Sequence, residues 1–240
     1  MNTDPSKSKK VLITGASTGI GFACLNKFLD NDWKVIAHYY ESNKDFHELS
    51  EKNDVMRIRA DFGDEKDLNN FLKNIEDHDI NALVNSAGTF DFAKKSDNII
   101  LAANNVFLIN TIAPSLIAEN VIEKMKKNNS GSIINISSIG VKFGSGIDNS
   151  FYGASKSALE SITRTLAREG APNNVLVNTI RPGITDTDFY KKIGKDIVER
   201  VKLIPLKRAA NADEIAKVVY FFSNENTYVT GQVIPVSGGE

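Results

Sequence analysis

The chain has 240 residues, of which 41% are hydrophobic and 25% charged, and its 29 basic residues nearly balance its 30 acidic ones. That length fits one large domain, and the composition is that of an ordinary globular protein. The balanced charge provides no field that would attract nucleic acid or an anionic membrane surface. We therefore expect a single domain that binds neither.

The first nine residues are polar and rich in lysine, so residues 1–9 are predicted to form a flexible tail and residues 10–240 the folded domain. They lack the apolar stretch of a secretory signal, and the single cysteine, Cys24, cannot form an internal disulfide. No apolar run approaches the roughly 18 residues that a membrane-spanning helix needs. We expect a soluble, cytoplasmic protein.

Short apolar strands alternate with segments of helical spacing along the chain. Strands are predicted at 11–13, 34–37, 55–58, 82–84, 132–136, 175–178 and 232–236, and helices at 20–29, 43–52, 68–75, 100–127 and 151–168. Such alternation implies βαβ units and a parallel sheet covered on both faces. The predicted fold class is α/β, a doubly wound, Rossmann-like fold with about seven parallel strands. Residues 89–98 and 186–207 have no clear period and are predicted to be loops over a site.

A glycine-rich turn, Thr14–Gly21, follows the first strand directly and opens the first helix. Glycine lets the backbone approach phosphate oxygens, and the helix N-terminus offers unpaired N–H groups with a partial positive charge. A tight turn that uses glycine only for its φ freedom is the alternative. The position between strand and helix favours a pyrophosphate site.

Tyr152 and Lys156 are four residues apart in a strongly helical segment, so they share one helix face. The pair is common in isolation, but a neighbouring ammonium lowers the pKa of a phenol, and such a phenol can donate or accept the proton in carbonyl reduction or alcohol oxidation. Ser138 ends the fifth strand, where ligands gather in an open α/β sheet, and its hydroxyl can bind the substrate oxygen. The adjacent Ser137 is the second choice, because it points to the other face of the strand.

The sequence lacks the motifs of other reaction classes. His38, His47 and His78 have no metal-ligand spacing with carboxylates or Cys24, so no metal is expected and they are interpreted as strand-end or surface residues. No Gly-x-Ser-x-Gly elbow indicates a hydrolase, and the glycine turn lacks the Gly-Lys-Ser/Thr of phosphoryl transfer. Hydride transfer is the best-supported reaction class.

Together with the glycine turn and the Tyr152 and Lys156 pair, several short motifs give the chain a resemblance to the short-chain dehydrogenase/reductase family, in which they occur in the same order. The motifs span nearly the whole chain: Thr14–Gly21, Asp61-Phe62, Asn85-Ser86-Ala87-Gly88, Asn110, Ser137-Ser138, Tyr152-Gly153-Ala154-Ser155-Lys156, Pro182-Gly183 and Ser237-Gly238-Gly239. Ser86 departs mildly, since Asn or Ala is commoner there. The separation between Ser138 and Tyr152 is one residue longer than is usual in the family, which predicts an insertion between 140 and 150.

The resemblance implies an NAD(P)-dependent oxidoreductase that transfers a hydride between the nicotinamide and a carbonyl or secondary alcohol. It implies the catalytic residues Asn110, Ser138, Tyr152 and Lys156, with Asn110 holding a water that links Lys156 to solvent. The implied cofactor-binding residues are Gly15, Ser17, Thr18, Gly19, Ile20, Gly21, Tyr39, Asp61, Phe62, Asn85, Ala87, Gly88, Tyr152, Lys156, Pro182, Gly183, Thr185 and Thr187.

The choice of nicotinamide depends on the end of the second strand, where an acid would bind the ribose hydroxyls and select NAD. Tyr39 occupies that position, the nearest acid is Glu41, and Lys44 reaches a 2′-phosphate only if the turn bends favourably. Thr18 is not the basic residue that many NADP-preferring relatives carry. We expect NADP, with NAD as the alternative.

The resemblance suggests a 3-oxoacyl thioester as one possible substrate among small carbonyl compounds, and a homodimer or homotetramer formed by the helices near 100–127 and 151–168. A partly apolar pocket is predicted from Phe143, Ile147, Phe151, Phe189 and Tyr190, beneath a lid at 186–205. A non-catalytic dinucleotide sensor or assembly subunit on the same fold is the alternative. Extended relatives such as sugar-nucleotide epimerases normally carry a further substrate domain, for which 240 residues leave no room.

Overall fold

A seven-stranded parallel sheet forms the middle layer of the computed structural model, which describes residues 8–90, 96–187 and 197–240. Its strands are β1 (Lys10–Thr14), β2 (Lys34–Tyr39), β3 (Met56–Arg59), β4 (Ala82–Asn85), β5 (Gly131–Ile136), β6 (Val175–Pro182) and β9 (Val233–Val236). They lie in the order β3-β2-β1-β4-β5-β6-β9, so the winding reverses between β1 and β4. Ligands of open α/β sheets bind at the carboxyl ends of the strands beside that reversal. The predicted fold class is confirmed.

Helices cover both faces of the sheet. They are α1 (Gly19–Leu29), α2 (Lys44–Lys52), α3 (Glu65–Glu76), α4 (Ile99–Phe107), α5 (Ala113–Lys127), the short α6 (Gly140–Phe143), α7 (Ser150–Gly170), α8 (Val198–Leu203) and α9 (Ala212–Asn224). Because side chains alternate along a strand, Val11 and Ile13 of β1 pack in the cluster that contains α1 and α9, whereas Leu12 packs with α3, α5 and α7. Two apolar layers therefore hold the sheet.

Two regions depart from the sequence prediction. Helix α9 is missing from the predicted set, although Glu214 accepts a hydrogen bond from the Asn211 N–H at 2.8 Å, which is half of a capping box ahead of an apolar run. The predicted 186–207 loop contains helix α8, and it lies between β7 (Thr185–Asp186) and β8 (Ala210–Asn211), which pair with each other. Residues 1–7 of the predicted tail lie outside the described residues.

One helical stretch, Ile99–Lys127, is long and apolar enough to cross a membrane by length and composition. It comprises α4, a π-helical turn at Leu108–Ile112, and α5. The side chains of Ile117, Val121 and Met125 are buried in the core against the sheet. This stretch is therefore a core helix with one face outside the core.

His38 is the next-to-last residue of β2, as the strand-end interpretation expected, and it is buried rather than on the surface. Its Nδ1 accepts from the Gly15 N–H at 3.1 Å, its Nε2 lies 3.1 Å from the Ala60 carbonyl oxygen, and its ring stacks on Phe62 at 3.8 Å. Burial lowers the pKa of His38 from 6.5 to about 4. The side chain is therefore a neutral imidazole with its proton on Nε2, and it fixes the start of the glycine turn.

We expect His38 to contribute to acid sensitivity. Its pKa is lower in the folded state, so between pH 6.5 and 4 the unfolded chain binds the proton and the folded chain does not. Stability is then lost as pH falls, by about 2 kcal/mol from pH 7 to pH 5 through this group. Urea unfolding of the wild type and His38→Gln at both pH values measures the difference, with the half-buried His47→Gln as the control. If His38→Gln and His47→Gln lose the same amount of stability between pH 7 and pH 5, this role of His38 is contradicted.

Candidate active site

The glycine turn is shaped so that only glycine fits at two of its positions. A Cβ on Gly15 would lie 2.8 Å from Ala87 Cα, and one on Gly21 would lie 2.1 Å from the Gly15 oxygen. Gly15 and Gly19 have φ values of 65° and 55°, which side chains disfavour. The turn therefore packs closely on the loop after β4.

The N-terminus of α1 is left available for an anion. Thr18, its N-cap residue, makes no side-chain capping bond, and the first turn contains no acidic residue. First-turn N–H groups carry partial positive charge and have no partner within the helix. Together with the tight glycine cradle, this end of the helix fits a dinucleotide pyrophosphate.

The end of β2 is tied to the glycine turn. The Ala16 N–H donates to the His38 oxygen at 2.9 Å, and the Ser17 hydroxyl donates to the Glu41 main-chain oxygen at 2.5 Å. Tyr39, the position that would hold an acid in an NAD site, packs its ring 5.2 Å from that of Phe46. No acidic side chain therefore occupies this position.

The other residues predicted on the adenosine side have different placements. Asp61 accepts from the Gly63 N–H at 2.8 Å, and Phe62 is buried beneath His38. The Asn85 amide points into the interior, where it donates to the Pro114 oxygen at 3.1 Å and to Asn135 Oδ1 at 2.9 Å. Only the main chain of Asn85 is therefore at the edge of the crevice. The Ala87 N–H donates to Thr14 Oγ1 at 3.1 Å, which holds this loop against β1.

Asn110 lies in the π-helical turn between α4 and α5 and is fully buried. Its Nδ2 donates to the Thr89 oxygen at 2.9 Å and to Ser155 Oγ at 3.1 Å, and its Oδ1 accepts from the Thr89 N–H at 2.8 Å. A Cβ on Gly88 would lie 3.2 Å from Asn110 Oδ1 and 3.3 Å from Lys156 Nζ. Asn110 therefore joins the β4 loop to α7 beside the lysine.

The two serines after β5 face opposite sides, as predicted. Ser138 Oγ accepts from the Gly140 N–H at 3.1 Å and hydrogen-bonds the Tyr152 phenol. Ser137 Oγ instead donates to Glu160 Oε1 at 2.6 Å. Ser138 is therefore the serine that shares the site with Tyr152.

Burial controls the titration of the tyrosine and the lysine. It raises the pKa of Tyr152, and the hydrogen bond from Ser138 only partly opposes that increase. It lowers the pKa of Lys156 to about 8, and the ammonium donates to the Ile136 oxygen at 2.9 Å. The prediction that Lys156 brings down the pKa of Tyr152 is thus not borne out in this site, because desolvation of the phenolate is the larger effect. Tyr152 is a neutral phenol at pH 7.

The segment after β6 closes the crevice. The Pro182 oxygen accepts from the Ile139 N–H at 2.8 Å, and Thr185 Oγ1 donates to the Gly183 oxygen at 3.1 Å. The Thr187 methyl carbon lies 3.5 Å from the position of a Cβ on Gly19. This segment therefore touches both the serine loop and the glycine turn.

A buried ion pair behind the site was not among the predicted residues. Arg181 Nε and Nη2 donate to the two Glu160 carboxylate oxygens at 3.0 and 2.6 Å, and Ser137 binds the same carboxylate. This arrangement ties α7 to β6 and β5 directly behind Ser138. An acid on the buried stripe of α7 is the sequence signal that could have revealed it.

The predicted substrate side is only partly described. Ile147 exposes 73% of its surface and lines a cavity of about 370 Å³ formed by residues of the 140–157 segment, whereas Phe143, 58% exposed, does not line that cavity. Gly144 and Gly146, within the predicted insertion, both have positive φ. Phe189 and Tyr190 lie in residues 188–196 of the predicted lid, which are outside the described residues. Phe90 was not predicted, yet its ring lies 4.8 Å from that of Tyr152. Among the residues described, no group of His, Cys, Asp and Glu side chains could hold a metal.

A pyrophosphate cradle and a serine, tyrosine and lysine group meeting at one crevice define a dinucleotide-dependent oxidoreductase. The family model described as Enoyl-(Acyl carrier protein) reductase matches residues 15–240. The chain is 33% identical to Protein FixR of Bradyrhizobium diazoefficiens, over 99% of this chain and 88% of the relative. It is also 33% identical to 3-oxoacyl-(acyl-carrier-protein) reductase FabG of Aquifex aeolicus, over 97% of each chain.

Solved structures agree with these matches. A short chain dehydrogenase/reductase family protein is similar with a TM-score of 0.84 and 28% identity, over 97% of both chains. The structure titled ElxO with NADP Bound is similar with a TM-score of 0.82 and 27% identity, over 97% of this chain and 98% of ElxO. The chain belongs to the short-chain dehydrogenase/reductase family, whose members are NAD(P)-dependent oxidoreductases.

We expect Gly21→Ala to weaken NADPH binding by about tenfold or more, because the new methyl group would displace the Gly15 carbonyl and open the cradle. Fluorescence titration of NADPH measures the affinity, and circular dichroism checks the fold. Gly144→Ala is the control, since nothing lies within 4 Å of its added Cβ although its φ is positive. Unchanged affinity in Gly21→Ala contradicts the assigned cradle.

We expect carbonyl reduction to decline as pH rises through about 8, because Lys156 loses its proton there while Tyr152 keeps its own. The pH dependence of kcat/KM reports groups of the free enzyme. The profile from pH 6 to 10 at constant ionic strength measures this, and the Kd of NADPH over the same range shows how much of the decline is binding. A rate that stays level until pH 10 shows that the lysine proton is not required.

Proposed function

We propose that the protein is an NADPH-dependent reductase of 3-oxoacyl thioesters. The observation that carries the proposal is the hydrogen-bonded pair of Ser138 and Tyr152, with the buried Lys156 behind it and the glycine cradle at the same sheet edge. A carbonyl oxygen placed between the two hydroxyls receives a hydrogen bond from each. This is the arrangement that carbonyl reduction needs.

The glycine cradle of Gly15, Gly19 and Gly21 would hold NADPH, which would supply the hydride for the carbonyl carbon. Ser138 holds the carbonyl oxygen as negative charge develops on it. Tyr152 transfers its phenolic proton to that oxygen, so its O–H bond breaks as the O–H bond of the alcohol forms. Lys156, whose ammonium keeps its proton at pH 7, then transfers a proton to the phenolate and is itself reprotonated from solvent. Asn110 positions Lys156 through Ser155 and Thr89 rather than by touching the substrate.

Two lines support the substrate class. The relative from Aquifex aeolicus is named for 3-oxoacyl-(acyl-carrier-protein) reduction, and the exposed apolar side chain of Ile147, which lines the cavity of the 140–157 segment, suits an acyl chain. The matching family model is described instead by enoyl reduction. In enoyl reduction, negative charge also develops on the thioester oxygen, but the proton is finally added to carbon, whereas the Tyr152 phenol beside Ser138 is placed to protonate an oxygen. Carbonyl reduction is therefore the better match to this site.

We further propose that the protein forms a homodimer or homotetramer in the cytoplasm. Helices α4 and α5 and the π turn between them expose apolar side chains that include Ile100, Leu101, Ile112 and Leu116. Contiguous exposed apolar surface of this kind is typical of an interface. The buried Cys24 thiol is free, which is compatible with a reducing compartment.

The decisive experiment compares Tyr152→Phe with the wild type. We expect a loss of about 100-fold or more in NADPH oxidation by acetoacetyl thioesters, because the proton donor is removed. The Kd of NADPH is expected to stay within about twofold, since the ring remains. Tyr220→Phe, the same substitution in α9, controls for the loss of a hydroxyl elsewhere.

Unchanged turnover in Tyr152→Phe overturns the mechanism. Wild-type protein that binds NADPH but reduces no carbonyl compound supports the non-catalytic alternative. A faster reaction with crotonyl than with acetoacetyl thioester assigns enoyl reduction instead.

A further inference from the structure

Arg59 lies at the carboxyl end of β3, beside the adenosine end of the crevice. It is paired in register with Tyr39, the last residue of β2. Its side chain is exposed, and its guanidinium carbon lies 5.5 Å from the centroid of the Tyr40 ring. An arginine from a different strand is therefore held over the residue that follows β2.

Tyr40 lies in a short segment that is anchored to the glycine turn from both sides. The His38 oxygen accepts from the Ala16 N–H, and the Glu41 main-chain oxygen accepts from the Ser17 hydroxyl. In this class of fold the end of the second strand meets the adenosine ribose. The stacked pair of Tyr40 and Arg59 thus borders the position of the ribose 2′ substituent.

The neighbouring charges leave Arg59 as the best-placed cation. Lys44 pairs with Glu48 at 3.2 Å, and Arg57 contacts His47 at 2.9 Å and Glu51 at 3.4 Å. Arg59 makes no ion pair with any residue in the described ranges. The nearest acid in sequence to Tyr40 is Glu41, whose main-chain oxygen is held by Ser17.

Stacking prepares the guanidinium for an anion. An arginine that lies on an aromatic face keeps its N–H edges free, and its planar fork matches the oxygens of a phosphate. Because the ring limits the rotamers of the side chain, less freedom is lost when the anion binds. The guanidinium of Arg59, lying over the Tyr40 ring, is therefore suited to bind a phosphate group at this edge of the sheet.

We propose that Arg59, held by Tyr40, binds the 2′-phosphate of the adenosine ribose and thereby determines the preference for NADPH over NADH. The inference rests on the proposed NADPH dependence and adds the residue that produces it. Position 59 lies outside the glycine turn and outside the segment that follows β2, where the sequence prediction looked for a basic residue.

The test measures binding of nucleotide fragments without turnover. Isothermal titration of the full chain with 2′,5′-ADP and with 5′-ADP isolates the contribution of the 2′-phosphate. For Arg59→Ala we expect the affinity for 2′,5′-ADP to fall by about tenfold or more and that for 5′-ADP to change by less than about twofold. Tyr40→Leu is expected to lower the 2′,5′-ADP affinity by a smaller factor.

Arg57→Ala is the matched control, because Arg57 lies two residues earlier on the same strand and faces His47 and Glu51. It should leave both affinities unchanged. Arg59→Gln, which keeps most of the side-chain length without the charge, replaces Arg59→Ala if that variant does not fold.

The outcomes separate the two proposals. Wild-type protein that binds 2′,5′-ADP no better than 5′-ADP overturns the NADPH dependence itself. Wild-type protein that prefers 2′,5′-ADP while Arg59→Ala and Arg59→Gln keep that preference overturns the role of Arg59 alone. Selective loss in the Arg59 variants, with Arg57→Ala unaffected, supports it.

Discussion

The amide of Asn110 joins the loop after β4 to helix α7, which carries Tyr152 and Lys156. It binds both main-chain groups of Thr89, in the loop after β4, and the hydroxyl of Ser155 on α7. These partners are 21 and 45 residues away in sequence, so the bonds depend on the tertiary fold. A buried amide without hydrogen-bond partners destabilises the fold by the full desolvation free energy of its polar atoms. The π-helical turn directs Asn110 inward to these partners, close to the part of the β4 loop that also contacts Lys156.

His38 has the equivalent role in the cofactor half. Because burial keeps the imidazole neutral, one ring nitrogen accepts from Gly15 and the other donates to Ala60. A protonated ring could not accept the Gly15 N–H. The glycine turn is thus held in its binding conformation by groups of the protein itself. Such preorganisation reduces the conformational entropy that a dinucleotide must overcome on binding.

The features predictable from the sequence are those encoded locally. The strands and the glycine turn follow from apolar period and residue spacing, and the opposite orientations of Ser137 and Ser138 follow from the strand repeat of two. The burial of His38 and the pairing of Glu160 with Arg181 depend on which helices cover each strand, which spacing does not specify. The same limit applies to Tyr152. Four residues of separation place it one helical turn from Lys156, but only the packed structure shows that burial raises its pKa and that the Ser138 hydrogen bond opposes this only in part.

The burial of Tyr152 and Lys156 affects the protonation state from which each direction of the reaction starts. Alcohol oxidation begins with a phenolate that accepts a proton, whereas carbonyl reduction begins with a phenol that donates one. The raised pKa of Tyr152 favours the phenol, and the lowered pKa of Lys156, at about 8, leaves the ammonium close to its point of proton release near neutral pH. Tyr152 can therefore donate its proton, and Lys156, which gives up a proton easily, can replace it. The resting site therefore holds the proton that carbonyl reduction consumes, and alcohol oxidation through the same groups begins only after Tyr152 has lost that proton.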